Sequence, residues 1–151
     1  MYRTTLIPTG GSEASFGAVA DAIEVTAPDG TIHVLGIVED LPTHRRSGKP
    51  QKFDDEDGDE RARLEAAVDR IASSVDEAGI DYVTAVEAGV PSHEIVQYAA
   101  DAESDAIVMG KRGPSDAAAD LLGSTTERVL RDAPTTVVSV PSERDGVSEE
   151  P

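Results

Sequence analysis

Short apolar segments of two different periods alternate along this chain, and that alternation restricts the folds open to it more than any other feature. Thr4–Pro8 is a short strand. Ser12 is placed to N-cap a helix carrying Phe16, Val19 and Ile23. Pro28-Asp29-Gly30 reads as a turn delivering Thr31–Val38, a β-branched run of the kind buried on both faces of a sheet. Leu64, Val68, Ile71 and Val75 then recur at helical spacing, and Gly79 ends their helix. Asp81–Glu87 is a third strand, Pro91–Glu103 a third helix and Ala106–Met109 a fourth strand. Thr125–Asp132 is a fourth helix stopped by Pro134, and Thr135–Val140 is a fifth strand. Strict β-α alternation predicts an α/β fold, a parallel sheet with helices on both faces. There is no internal repeat of solenoid period.

A chain of 151 residues fits one domain, and at that size a buried core needs no disulfide or metal staple. The absence of cysteine excludes thiol catalysis and zinc–thiolate sites. A formal charge of −17 repels phosphate backbones and anionic lipid, so no nucleic acid and no membrane surface is expected as partner. No apolar run reaches the roughly 20 residues that span a bilayer. The first eight residues are too polar for a signal-peptide core, so a cytoplasmic location is expected. Three lysines against ten arginines, in so acidic a chain, fit adaptation to high salt, where self-repulsion is screened.

Residues 41–60 form the one strongly biased segment. It starts basic (His44, Arg45, Arg46, Lys49, Lys52) and turns acidic from Asp54 to Glu60. It reads as a flexible, charged loop. It also leaves the carboxyl edge of the sheet, where open α/β sheets bind ligands, and so is placed to act as a lid. Residues 142–151 form a polar, acidic tail after a single domain spanning 1–141.

Two residues separate Gly110 from Gly113, nine separate Gly113 from Gly123, and Ser124 follows directly. Placed after a strand and before a helix, such glycines let backbone N–H groups approach phosphate oxygens, and the helix adds its positive end. Lys111 and Arg112, the sole Lys or Arg between Arg70 and Arg128, strengthen the case for an anion. A purely structural reading stands beside this one. Gly110 can simply end a strand, and Ser124-Thr125-Thr126-Glu127 has the pattern of a capping box. Capping and phosphate binding compete for the Ser124 hydroxyl.

Gly110-x-x-Gly113-x9-Gly123-Ser124 resembles the nucleotide-binding motif of the universal stress protein (UspA-like) family, in its ATP-binding branch. Leu6-Ile7-Pro8-Thr9 with Gly11-Ser12, Gly89-Val90-Pro91, and Asp105 through Gly110 extend the resemblance over almost the whole chain. The resemblance implies an open, Rossmann-like five-stranded sheet of order 3-2-1-4-5 and ATP or a related adenine nucleotide as ligand. It further implies a homodimer through the strand at 135–140. Carried over residue by residue, it puts Gly110, Arg112, Gly113, Gly123, Ser124 and Thr125 around phosphates and ribose, with Met109 beside them. Ile37 and the Pro8–Thr9 turn would meet the adenine. The family usually has an aspartate where this chain has Gly10, and that carboxylate contacts the nucleoside.

Other chemistry has little support. There is no Gly-x4-Gly-Lys-Ser/Thr run, so magnesium enters only with the nucleotide, near Glu39 or Asp40. His33 reads as a hydrogen-bonded core residue, and neither His44 nor His93 has a second ligand at metal spacing. Ser12 lacks the context of a nucleophile. With no catalytic base to position water, the chain is expected to bind nucleotide and signal through conformation or dimer contacts rather than act as an enzyme. A slow ATPase and a dimeric interaction module without ligand are the alternatives.

Overall fold

The computed structural model describes residues 1–11, 13–39, 50–110 and 124–140, with side chains of 13–15 and 50–58 excepted. In chain order the elements are β1 (Tyr2–Thr9), α1 (Glu13–Val25), β2 (Thr26–Glu39), α2 (Pro50–Glu77), β3 (Asp81–Gly89), α3 (Pro91–Asp101), β4 (Ala106–Gly110), α4 (Ser124–Asp132) and β5 (Thr136–Val140). The five strands form one parallel sheet in the order β3-β2-β1-β4-β5. This is the α/β architecture expected from the alternation, with the strand order that the resemblance implies. No helix among the described residues is long and apolar enough to cross a membrane.

Each strand sends alternate side chains to opposite faces, so the sheet carries two apolar layers. Ile7, Ile32, Val34 and Val108 pack under Ala18, Val19 and Ala22 of α1 and Val68, Ile71 and Val75 of α2. On the other face Leu6, Leu35, Ile37, Ile107 and Met109 pack under Ile95 and Ala99 of α3 and Val129 of α4. The Leu64–Val75 stripe is thus the buried side of α2. Gly36 lets that helix come close, since a Cβ there would lie 2.8 Å from Val68 Cγ2 and 3.0 Å from Leu64 Cγ.

Two expectations are corrected. Pro28-Asp29-Gly30 is not a turn before β2 but part of it. Tyr2 pairs with Thr26 and Thr4 with Thr31, so Ala27–Gly30 bulge opposite Arg3 alone. Glycine is needed in this bulge: a Cβ on Gly30 would lie 2.6 Å from the Arg3 carbonyl oxygen. The 41–60 segment is also not a loop throughout, because α2 begins at Pro50. Proline suits a first helical turn, and a helix already docked by its buried stripe extends upstream at one hydrogen bond per residue. Residues 41–49, the tail from 141 and the Ser12 cap lie outside the described residues.

Candidate functional site

β1 is the centre of the sheet, flanked by β2 and β4, so chain direction diverges on its two sides. At such a switch point the loops beyond the strand ends part and leave a crevice. Here the β1–β4 ladder also ends early. The β1–β4 ladder pairs Thr5 with Ala106 and Leu6 with Ile107, and each strand runs three residues beyond its last pair. Pro8 lies in that stretch and has no N–H to donate.

Of the residues singled out from sequence, those described lie at or near the carboxyl ends of β1, β2 and β4 and at the start of α4. Pro8 and Thr9 end β1 and are buried, and Gly10 is exposed beyond them. Gly11 donates its N–H to Thr9 Oγ1 at 2.9 Å and holds φ 93°, a left-handed conformation natural to glycine. Gly36 of β2 lies beside Thr9 in register, which places Ile37 next along. Ile37 is 4% exposed and Met109 2%, and both belong to the apolar layer beneath α3 and α4. Gly110 ends β4 and is buried. Ser124 starts α4 on the surface, followed by buried Thr125 and Thr126. Arg112, Gly113 and Gly123, like Lys111, lie outside the described residues.

Thr126 is the residue that the sequence did not single out. Its hydroxyl, fully buried, donates to the Gly110 carbonyl at 3.0 Å and fixes the start of α4 against the end of β4. This tie sets the start of α4, and with it the positive end of the helix, beside the end of β4. A hydroxyl in the first turn of a helix was the available signal, but its partner is 16 residues upstream.

His33 does find a hydrogen-bond partner. Its Nδ1 lies 2.8 Å from the Tyr98 hydroxyl of α3, with the rings edge to face at 5.5 Å. It is half-buried rather than fully enclosed, and burial pushes its pKa below the ordinary 6.5. Burial, and then the Glu87 carboxylate, push the Tyr98 phenol up. His93 is exposed and Glu39 half-buried. No group of three metal-ligating side chains is present among the described residues.

The universal stress protein family model matches residues 1–141. This chain belongs to the universal stress protein family. The universal stress protein MJ0531 of Methanocaldococcus jannaschii is 31% identical over 149 residues, covering 93% of this chain and 84% of its own. Among solved structures, hypothetical protein MJ0577 superposes with a TM-score of 0.80 at 26% identity, over 95% of this chain and 98% of that one. A universal stress protein in complex with cAMP superposes with a TM-score of 0.61 at 27% identity, over 92% and 96%. Membership in the universal stress protein family thus agrees with the sheet order.

Proposed function

We propose that this chain is a nucleotide-responsive universal stress protein that binds ATP or a related adenine nucleotide in the crevice between β1 and β4. The observation that carries this reading is the end of the β1–β4 ladder at the switch point beside the Thr126–Gly110 tie, which fixes the start of α4 against the end of β4. The complex of a 27% identical relative with cAMP supports an adenine nucleotide as the class of ligand. In this reading the backbone from Gly110 through Gly113 and Gly123, with Ser124, Thr125 and Arg112, holds the phosphates and ribose. Adenine lies against Ile37 and the Pro8–Thr9 turn, with Met109 alongside. Magnesium arrives only with the nucleotide. The response is conformational, and it passes through a homodimer formed by the 135–140 strand, an outer strand that contains no lysine to guard it. The −17 charge belongs to the same reading, because salt that screens the surface also admits an anionic ligand.

The test is nucleotide identification in the purified protein by mass spectrometry, followed by calorimetric titration of variants. Arg112→Ala should cost about 1–3 kcal/mol of ATP affinity if its guanidinium makes a charge-assisted contact. Gly123→Val should cost at least as much by filling phosphate space. Unchanged titrations in both variants would make the glycine-spaced loop structural and end the proposal.

A further inference from the structure

The sheet has a second outer strand that the nucleotide and dimer readings leave unused. β3 pairs with β2 through nine consecutive residues, Asp81↔Thr31 to Gly89↔Glu39, with no register shift. No other strand among the described residues pairs its outer side. Asp81, Tyr82, Val83, Thr84, Glu87 and Ala88 are exposed, and Tyr82 and Val83 are each 44% accessible. Long edges are usually guarded by lysine, proline, a bulge or shortness. β3 has none of these, whereas the outer strand β5 is only five residues long.

Side-chain alternation gives this edge two distinct faces. Ala85 packs into the layer under α3, and Glu87 acts on Tyr98 of that helix, so Asp81, Val83 and Glu87 share that face. Val86 packs into the opposite layer, which places Tyr82 and Thr84 on the α2 face. A strand added in register sets its own alternate residues beside these. We propose that β3 accepts an extended basic segment of a partner protein as a sixth strand. Lysine or arginine would alternate along it with apolar or β-branched residues. The basic residues meet Asp81 and Glu87, and the apolar ones cover Tyr82. A second copy of this chain fits poorly. It would gather four carboxylates along one seam with no basic side chain in either strand, between molecules each carrying −17.

The test uses a labelled peptide alternating lysine and valine over the length of β3, and a control with its valines replaced by proline. The control keeps the charge but cannot form a ladder. Binding is followed by fluorescence anisotropy, and the contact by amide hydrogen exchange. The alternating peptide should bind at least about tenfold tighter than the control and slow exchange within 81–89. Thr84→Lys, on an exposed position, should weaken binding about tenfold, and Tyr82→Ala about threefold, with melting curves verifying the fold. Equal binding of the two peptides would reduce the effect to charge alone and overturn the proposal. So would protection that appears at 136–140 instead. Concentration-dependent protection of 81–89 without peptide would assign the edge to a second copy and equally overturn it.

Discussion

The two ends of the β1–β4 seam are built from different materials. At the amino end, Asp105 Oδ2 accepts the backbone N–H groups of Arg3 and Thr4 at 3.1 Å each. The Asp105 N–H donates to the Thr4 carbonyl at 2.7 Å, and its own carbonyl accepts the Thr135 hydroxyl at 2.6 Å. Arg3 also pairs with Asp29 at 3.3 Å. At the carboxyl end the described chain offers glycines, short hydroxyl side chains and strands that have stopped pairing. The amino end joins segments some hundred residues apart, whereas Thr9 to Gly11 and Thr126 to Gly110 tie neighbouring pieces of one loop or crossover. The sheet is clamped where it needs only to hold. Its ladder stops where a ligand would need backbone donors.

Breaking the clamp should give the largest effect. Asp105→Ala removes a charged acceptor from two backbone donors. It should lower unfolding free energy in urea by about 2 kcal/mol, with Asp105→Asn recovering part of it through the remaining carbonyl. Nucleotide affinity should stay within about twofold, since the proposed mode sets the phosphates at β4 and α4, which Thr126 ties together. A parallel fall in affinity would show that the ends are coupled and that the division of labour is wrong.

The carboxyl end can be sharpened rather than broken. Gly10→Asp supplies the carboxylate that the family usually places in the first turn. A hydrogen bond to a charged acceptor is worth roughly 1.5–3 kcal/mol, offset in part by repulsion from phosphates, so calorimetry should show about tenfold tighter binding of adenine nucleotides. The left-handed residue of that turn is Gly11 (φ 93°), which the substitution leaves intact. Weaker binding would mean that the first turn serves a different ligand or pose.

These contrasts also explain what the sequence made legible. Apolar patterning revealed the five strands and four helices of the described residues, because the inner strands bury both faces and the helices one. The β2 bulge escaped because Pro28-Asp29-Gly30 has turn chemistry locally, while its partners, the Arg3 guanidinium and carbonyl, lie in another strand. The early turns of α2 escaped because charge reports solvent exposure and does not forbid a helix. At the site, glycine spacing marked Gly110 and the start of α4, but nothing local linked Thr126 to Gly110 or His33 to Tyr98. Pairings across the fold are written in the topology, not in the neighbouring residues.

The His33–Tyr98 pair joins β2 to α3 between the two ends and predicts a pH dependence of its own. Burial lowers the folded-state pKa of His33 below 6.5, so the unfolded chain takes up a proton more readily than the fold. The stability due to neutral His33 is therefore fully present above pH 6.5 and is lost as pH falls through that value toward the folded pKa. Tyr98, with Glu87 beyond it, is the titratable partner here. His33→Gln should cost about 1 kcal/mol near pH 7.5, and the gap from the natural protein should shrink by pH 5.5 in parallel melting curves. A gap constant across that range would show that His33 does not titrate differently on folding.

The smallest effect lies in the turn that leads into the clamp. α2 and α3 end in the same motif. After α2, Gly79 donates to the Asp76 carbonyl and Ile80 to that of Val75, at 2.9 and 3.3 Å. After α3, Glu103 donates to Ala100 and Ser104 to Ala99, at 3.2 and 2.9 Å. The motif needs a left-handed residue, which is Gly79 (φ 80°) in one case and Glu103 (φ 55°) in the other. Glu103 bears the steric cost of that conformation and sets a negative charge at the negative end of a helix. Glu103→Gly relieves both but loosens the unfolded chain, which takes back part of the gain. The net should be a stabilisation of about 0.5–1 kcal/mol, read as a raised melting temperature with nucleotide affinity unchanged. A lowered melting temperature would mean that the Glu103 carboxylate makes an interaction worth more than its strain, and that the amino end does more than clamp.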